Sequence, residues 1–99
     1  MELRLYDMFD TNTLRDRETA LIVLEKISQI PKDYPVKIDF TNIIFASRSF
    51  CHELLTGLKD KKNVSFKNMS REIRSMMSVS LKKPSVIQNN HSIKIVVIG

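Results

Sequence analysis

Short runs of alternating apolar and polar residues are separated, along this chain, by stretches whose apolar residues recur every three or four positions. Leu3, Leu5, Met8 and Phe9 predict an opening strand over roughly residues 2–9. Thr13 then reads as an N-cap, with Asp16 three residues on in the first turn of a helix. Ala20, Val23, Leu24 and Ile27 give that helix one apolar stripe down to Ile30, and Pro31 and Pro35 bracket the turn that stops it. Val36, Ile38 and Phe40 share one face of a second strand, and a further apolar run, Ile43-Ile44-Phe45-Ala46, follows it. This continuity predicts a buried central strand and a loop packed on the core. Ser47 or Ser49 caps the next helix, in which Phe50, Leu54 and Leu58 recur at fourfold spacing, Cys51 and Leu55 widen the stripe, and Gly57 weakens the end. Asn63 to Lys67 reads as a strand with Val64 and Phe66 inward. Ser70 caps a third helix with Glu72 in its first turn and Ile73, Met76 and Met77 inward. Residues 79–91, with Pro84 and Asn89-Asn90-His91, carry loop signals, and Ser92 to Ile98 alternates as a closing strand.

The order β-α-β-α-β-α-β predicts an α/β fold: a single domain over residues 1–99, with a mostly parallel central sheet of about four strands and three helices joined by right-handed crossovers. A length of 99 residues holds one core rather than two, and 42% hydrophobic content is that of a globular chain. The lone cysteine, Cys51, excludes an internal disulfide. Met1 to Asp10 lacks the apolar centre of a signal peptide, and runs such as Ile95-Val96-Val97-Ile98 fall short of the ~20 residues that span a bilayer. A cytoplasmic location and no membrane partner are therefore expected. The net charge of +5 suits either nucleic acid or an acidic protein. The lysines, however, gather in Lys59-Asp60-Lys61-Lys62 and Lys82-Lys83, which read as solvated turns.

Candidate chemistry is sparse. Cys51, His52 and Glu53 are adjacent, and consecutive helical residues diverge by about 100°, so they do not converge on one metal ion. His91 is the only other histidine. Cys51 beside His52 in sequence is not a catalytic pair, and Cys51 reads as core, although a position near a helix N-terminus favours thiolate. Two glycines leave no phosphate-binding loop, so no cofactor is expected, and the few aromatic residues sit on apolar faces. What remains is the junction from Ile38 to Leu54, where a strand ends in Asp39, a loop with Thr41 and Asn42 follows, and a helix opens on Ser47-Arg48-Ser49. Ligands and partners of open α/β sheets gather at the carboxyl ends of strands, and free amides at a helix start favour an anion. Equally, Ser47 or Ser49 caps the helix and Asp39 hydrogen-bonds the loop.

Asp39-Phe40, Ile43, Phe45, Ser47-Arg48-Ser49-Phe50 and Glu53-Leu54 follow one another in an order and spacing that resemble the STAS-like domain family, relatives of the STAS domains of anti-sigma factor antagonists. Val64 to Ser70, Ile73-Arg74 and Arg17 extend the resemblance. It implies a non-catalytic regulatory module that docks a protein partner, in that family an ATP-binding kinase-like protein of the anti-sigma type, and that is phosphorylated on a serine at the helix start. Aligned through Asp39, Arg48 stands at that serine and Ser47 at the aspartate before it, so phosphorylation here either shifts to Ser47 or Ser49 or is absent. Asn42 stands where the family often has glycine, and His52 where it often has an acid.

The leading expectation is thus a protein-binding module using Asp39, Thr41, Asn42, Ser47, Arg48 and Ser49. The alternative is a small nucleic-acid-binding protein, with Arg17, Arg71 and Arg74 as a secondary basic surface together with Lys82, Lys83 and the turn at Lys59 to Lys62. A third reading is a structural subunit, a homodimer whose terminal strand pairs with a neighbour's sheet edge. Intrinsic catalysis is not expected, because no acid–base or nucleophile constellation is present.

Overall fold

Alternation of buried apolar with more exposed polar residues in Glu2–Arg4, Val36–Ile38 and Val64–Lys67 builds most of a four-stranded sheet. The structure, a computed structural model, describes residues 1–61, 63–81 and 96–98. Strands β1 (Glu2–Arg4), β3 (Val36–Asp39), β5 (Val64–Lys67) and β6 (Val96–Ile98) lie side by side in that order, every pairing parallel. The register sets Leu3, Ile38 and Phe66 in one row and Arg4, Asp39 and Lys67 in the next. The first row is buried, and Phe66 meets Phe40 edge-on with centroids 6.0 Å apart.

Helices α2 (Arg17–Ser28), α3 (Arg48–Gly57) and α4 (Arg71–Leu81) connect sequential strands, and α3 packs against both of the others. Right-handed crossovers between neighbouring parallel strands put all three on one face of the sheet. Ala20, Val23 and Ile27 of α2, Phe50, Cys51, Leu54 and Leu55 of α3, and Ile73 and Met77 of α4 are buried beneath that layer. Each large side chain so buried contributes about 1.5–3 kcal/mol. Gly57 lets the helices close up: a Cβ there would stand 2.3 Å from Cδ1 and 2.7 Å from Cδ2 of Leu24.

The α/β architecture agrees with the sequence expectation, and three of its details differ. The opening strand is only three residues long, because Leu5, Met8 and Phe9 recur at helical rather than strand spacing; the short helix α1 (Leu5–Phe9) sends all three toward the core. Asp10 ends α1 in the left-handed conformation, its N–H donating to Tyr6 O at 2.8 Å. Thr13 is not a helix cap. Thr13–Leu14 forms a two-residue strand, β2, parallel to β4 (Phe45–Ala46), because Leu14 is drawn fully into the core and its neighbours must pair; Asp16 takes the N-cap position. Among the described residues the central strand β3 is buried at Val36, Ile38 and Asp39 as expected, but not at every position. Lys37 is exposed on the side away from the helices, where Lys67 Nζ also meets Glu2 Oε2 at 2.8 Å.

The expected caps at the other helices are present: Ser47 Oγ accepts from Phe50 N at 3.1 Å, and Ser70 Oγ accepts from Ile73 N at 3.2 Å. The closing strand joins the chain's own sheet beside β5 over Val96–Ile98. The loop signals at Pro84 and Asn89 to His91, the start of that strand from Ser92, and Lys62, Lys82 and Lys83 fall outside the described residues. Among the described residues no helix is long and apolar enough to cross a membrane.

Candidate functional site

The polypeptide leaves β3 through a turn that Asp39 holds. Asp39 is 1% exposed, and its Oδ1 accepts from Thr41 N at 2.9 Å, Thr41 Oγ1 at 2.6 Å and Asn68 Nδ2 at 3.0 Å. Arg4 Nε reaches Oδ2 at 3.4 Å. Burial alone would raise the Asp39 carboxyl, but the hydrogen bonds from Thr41, Asn68 and Arg4 outweigh it and hold the group well below the usual carboxylate range. Asn68 Nδ2 also donates to Thr41 Oγ1 at 3.0 Å, tying the ends of β3 and β5 together. Asn42 then takes φ of 68° while Ile43 N donates to Phe40 O at 3.0 Å, closing a tight turn. A residue at positive φ must be glycine or one of the few that tolerate it, and asparagine is the foremost of these.

Beyond the turn the chain is anchored on both sides of two displayed residues. Ile43 and Ala46 are buried, whereas Ile44 and Phe45 are 64% and 39% exposed. The amides of Ile44 and Phe45 both donate to Asn12 O, at 2.8 and 3.3 Å. The Arg15 guanidinium lies over the Phe45 ring, 5.2 Å from its centroid. Ser47 follows, its hydroxyl donating to Arg15 O at 2.7 Å while accepting from Phe50 N, so both of its hydrogen-bonding functions are committed. Arg48 and Ser49 are exposed in the first turn of α3.

Arg48 and Ser49 line, with Arg17, His52 and Glu53, an open depression between the starts of α2 and α3. Arg17 Nε is paired with Glu53 Oε1 at 3.2 Å, which links the two helices across it. His52 Nδ1 lies 3.4 Å from Ser80 O on α4. Arg71 and Arg74 are exposed on α4, on the far side of α3 from Arg17. Arg71 there lines a second shallow groove with Glu72, Ser75, Met76 and Val79. Lys61 Nζ donates to Ile30 O at 3.4 Å, fastening the loop after α3 to the end of α2. Lys62, Lys82, Lys83 and Lys94 lie outside the described residues.

Six anticipated residues, Asp39, Thr41, Asn42, Ser47, Arg48 and Ser49, therefore fall on one continuous segment, with Asp39, Thr41 and Ser47 shaping it and Asn42, Arg48 and Ser49 on its surface. Sequence reasoning missed Arg4 on β1, Asn68 just after β5, and Arg15; it placed Ile44 and Phe45 in the docking loop 41–46 but took their run as packed on the core, not as displayed. A signal for the last pair exists: four apolar residues in a row cannot all face inward from an extended chain. Among the described residues no three His, Cys, Asp or Glu side chains converge as metal ligands. Cys51 is fully buried, and burial pushes its thiol up to about 12, overriding any thiolate-favouring effect of the helix start. No family model, curated protein or solved structure matches this chain.

Proposed function

We propose that this chain is a regulatory protein-binding module of STAS-like type, docking a partner through the loop 41–46 and the first turn of α3 without catalysing a reaction. One observation carries the reading: a loop locked from beneath by Asp39 holds two large apolar side chains, Ile44 and Phe45, out in solvent, with exposed Arg48 three residues further along the chain. Exposed apolar residues grouped on a rigid polar frame mark interaction surfaces. The STAS-like resemblance of residues 36–77 points to the same segment and to an ATP-binding kinase-like partner. The lone thiol, buried and unpaired, accords with a reducing cytoplasmic setting.

Phosphorylation, where it regulates docking, falls on Ser49. Ser47 is committed to capping α3 and holding Arg15 O, whereas the Ser49 hydroxyl is exposed beside Arg48 in the first turn, where a phosphate meets free amides and positive charge.

The test is affinity capture from nuclease-treated lysate, quantified by mass spectrometry, with wild-type protein, Arg48→Glu, Ile44→Ser with Phe45→Ser, and Ser49→Asp. Loss of one protein partner in Arg48→Glu supports docking here, and changed affinity in Ser49→Asp supports the switch. Recovery unchanged both by Arg48→Glu and by Ile44→Ser with Phe45→Ser, or recovery of nucleoprotein alone before nuclease, would refute the reading.

A further inference from the structure

We propose that the patch receives an acidic segment of its protein partner, one that seats an apolar side chain on Ile44 and Phe45 and sets carboxylates against Arg15 and Arg48. This rests on the docking reading above and adds the partner's chemistry. The apolar pair is preorganised: both amides are tied to Asn12 O, and buried Ile43 and Ala46 hold the segment on either side. A surface already fixed in its bound shape loses little conformational freedom on association.

Two guanidiniums near the pair are left without a carboxylate partner. Arg15 covers one face of the Phe45 ring and leaves its N–H edges unspent, and Arg48 stands exposed one residue beyond the Ser47 cap. All 11 Asp and Glu residues of the chain lie within the described residues. None pairs with Arg15 or Arg48, although Arg4, Arg17 and Lys67 each have a carboxylate partner. An unpaired guanidinium presents a planar fork that fits a carboxylate through two hydrogen bonds, and the start of α3 adds potential of the same sign. A second copy meeting the patch symmetrically would set arginine against arginine. A nucleic-acid backbone would satisfy the arginines and leave the aliphatic surface of Ile44 uncovered.

The test titrates the full chain into fluorescein-labelled synthetic peptides, read by anisotropy: one rich in glutamate around a central Leu-Phe, one with lysine for glutamate, and one with serine for Leu-Phe. A single-stranded oligonucleotide of similar length runs alongside. The acidic apolar peptide binds about tenfold tighter than either peptide control, and its affinity falls several-fold between low salt and about 0.3 M. Arg15→Gln with Arg48→Gln, and separately Ile44→Ser with Phe45→Ser, weaken it about tenfold, whereas Val79→Ser on α4 leaves it unchanged. Amide shifts in NMR fall on residues 44–48. Equal binding of the lysine peptide, absence of saturable binding by the acidic one, or preference for the oligonucleotide overturns the inference. Partner capture from lysate separates the two levels. If capture survives the arginine pair of substitutions but not the Ile44/Phe45 pair, the docking reading stands and the acidic chemistry falls; if it survives both, both fall.

Discussion

Replacing Asp39 by asparagine removes one negative charge at the point where β1, β3, β5 and the displayed loop meet. In the native protein the carboxylate accepts four hydrogen bonds, from Thr41 N and Oγ1, Asn68 Nδ2 and Arg4 Nε, while nearly withdrawn from solvent. Asparagine keeps one acceptor oxygen and turns an amide toward donors. Hydrogen bonds to a charged acceptor contribute about 1.5–3 kcal/mol each, and the exposed, longer contact from Arg4 contributes least, so Asp39→Asn costs about 2–4 kcal/mol at pH 7. The pH dependence has a definite sign. The folded carboxyl titrates below its unfolded value of about 3.9, so its contribution is complete above that pH and declines as pH falls below it toward the folded value. The asparagine side chain of the variant does not titrate, and the gap between the two proteins must therefore narrow on acidification, by up to about 1.4 kcal/mol per pH unit below pH 4. Urea unfolding followed by circular dichroism at pH 7, 5, 4 and 3 reads both quantities. A cost under about 0.5 kcal/mol at pH 7, or one that does not shrink with acid, would refute the role given to Asp39.

Two further predictions concern the core that carries the loop. Gly57→Ala gains up to about 1 kcal/mol of helix propensity but drives its Cβ into Leu24, whose Cγ is also only 3.0 Å away, so the net effect is destabilising by about 1–2 kcal/mol. In a Leu24→Ala background the same change becomes neutral or stabilising, and stabilisation by Gly57→Ala alone in urea unfolding would contradict the close approach of α2 and α3. Cys51 resists thiol reagents in native buffer and reacts only as fast as the domain opens, so its labelling rate rises with denaturant; stoichiometric labelling at the rate of a free thiol would place it outside the core.

The path of the chain through the core was legible because burial wrote a period into it. Val36, Ile38 and Phe40, the Phe50–Leu54–Leu58 stripe, and Val64 with Phe66 each repeat at the spacing of the element they form. Ser47 and Ser70 were legible as caps for a local reason, since the amide each satisfies lies three residues on. Illegible elements owe their form to distant partners. Thr13–Leu14 becomes a strand only because Phe45–Ala46 arrives beside it, and the helical spacing of Leu5, Met8 and Phe9 spans only five residues, too few to outweigh the period-two pair Leu3 and Leu5. The candidate site divides in the same way. Asp39, Thr41 and the serines announce themselves at a strand-to-helix junction, but Arg4, Arg15 and Asn68 enter from other strands and loops, and only the sheet register and the β2–β4 pairing bring them there. The apolar run Ile43 to Ala46 pointed inward as a block, whereas the turn at Asn42 and the pairing with β2 bury its two ends and turn its middle outward.

Site-resolved photocrosslinking tests the docking claim most directly. The chain carries p-benzoylphenylalanine in place of Phe45 in one preparation and in place of Val79, exposed on α4, in another, each irradiated in native lysate after nuclease treatment. A protein partner crosslinked from position 45, absent from position 79 and lost when Arg48→Glu is added, is the predicted result. The same partner trapped equally from both positions, or from position 79 alone, would contradict docking at the loop 41–46 and the start of α3.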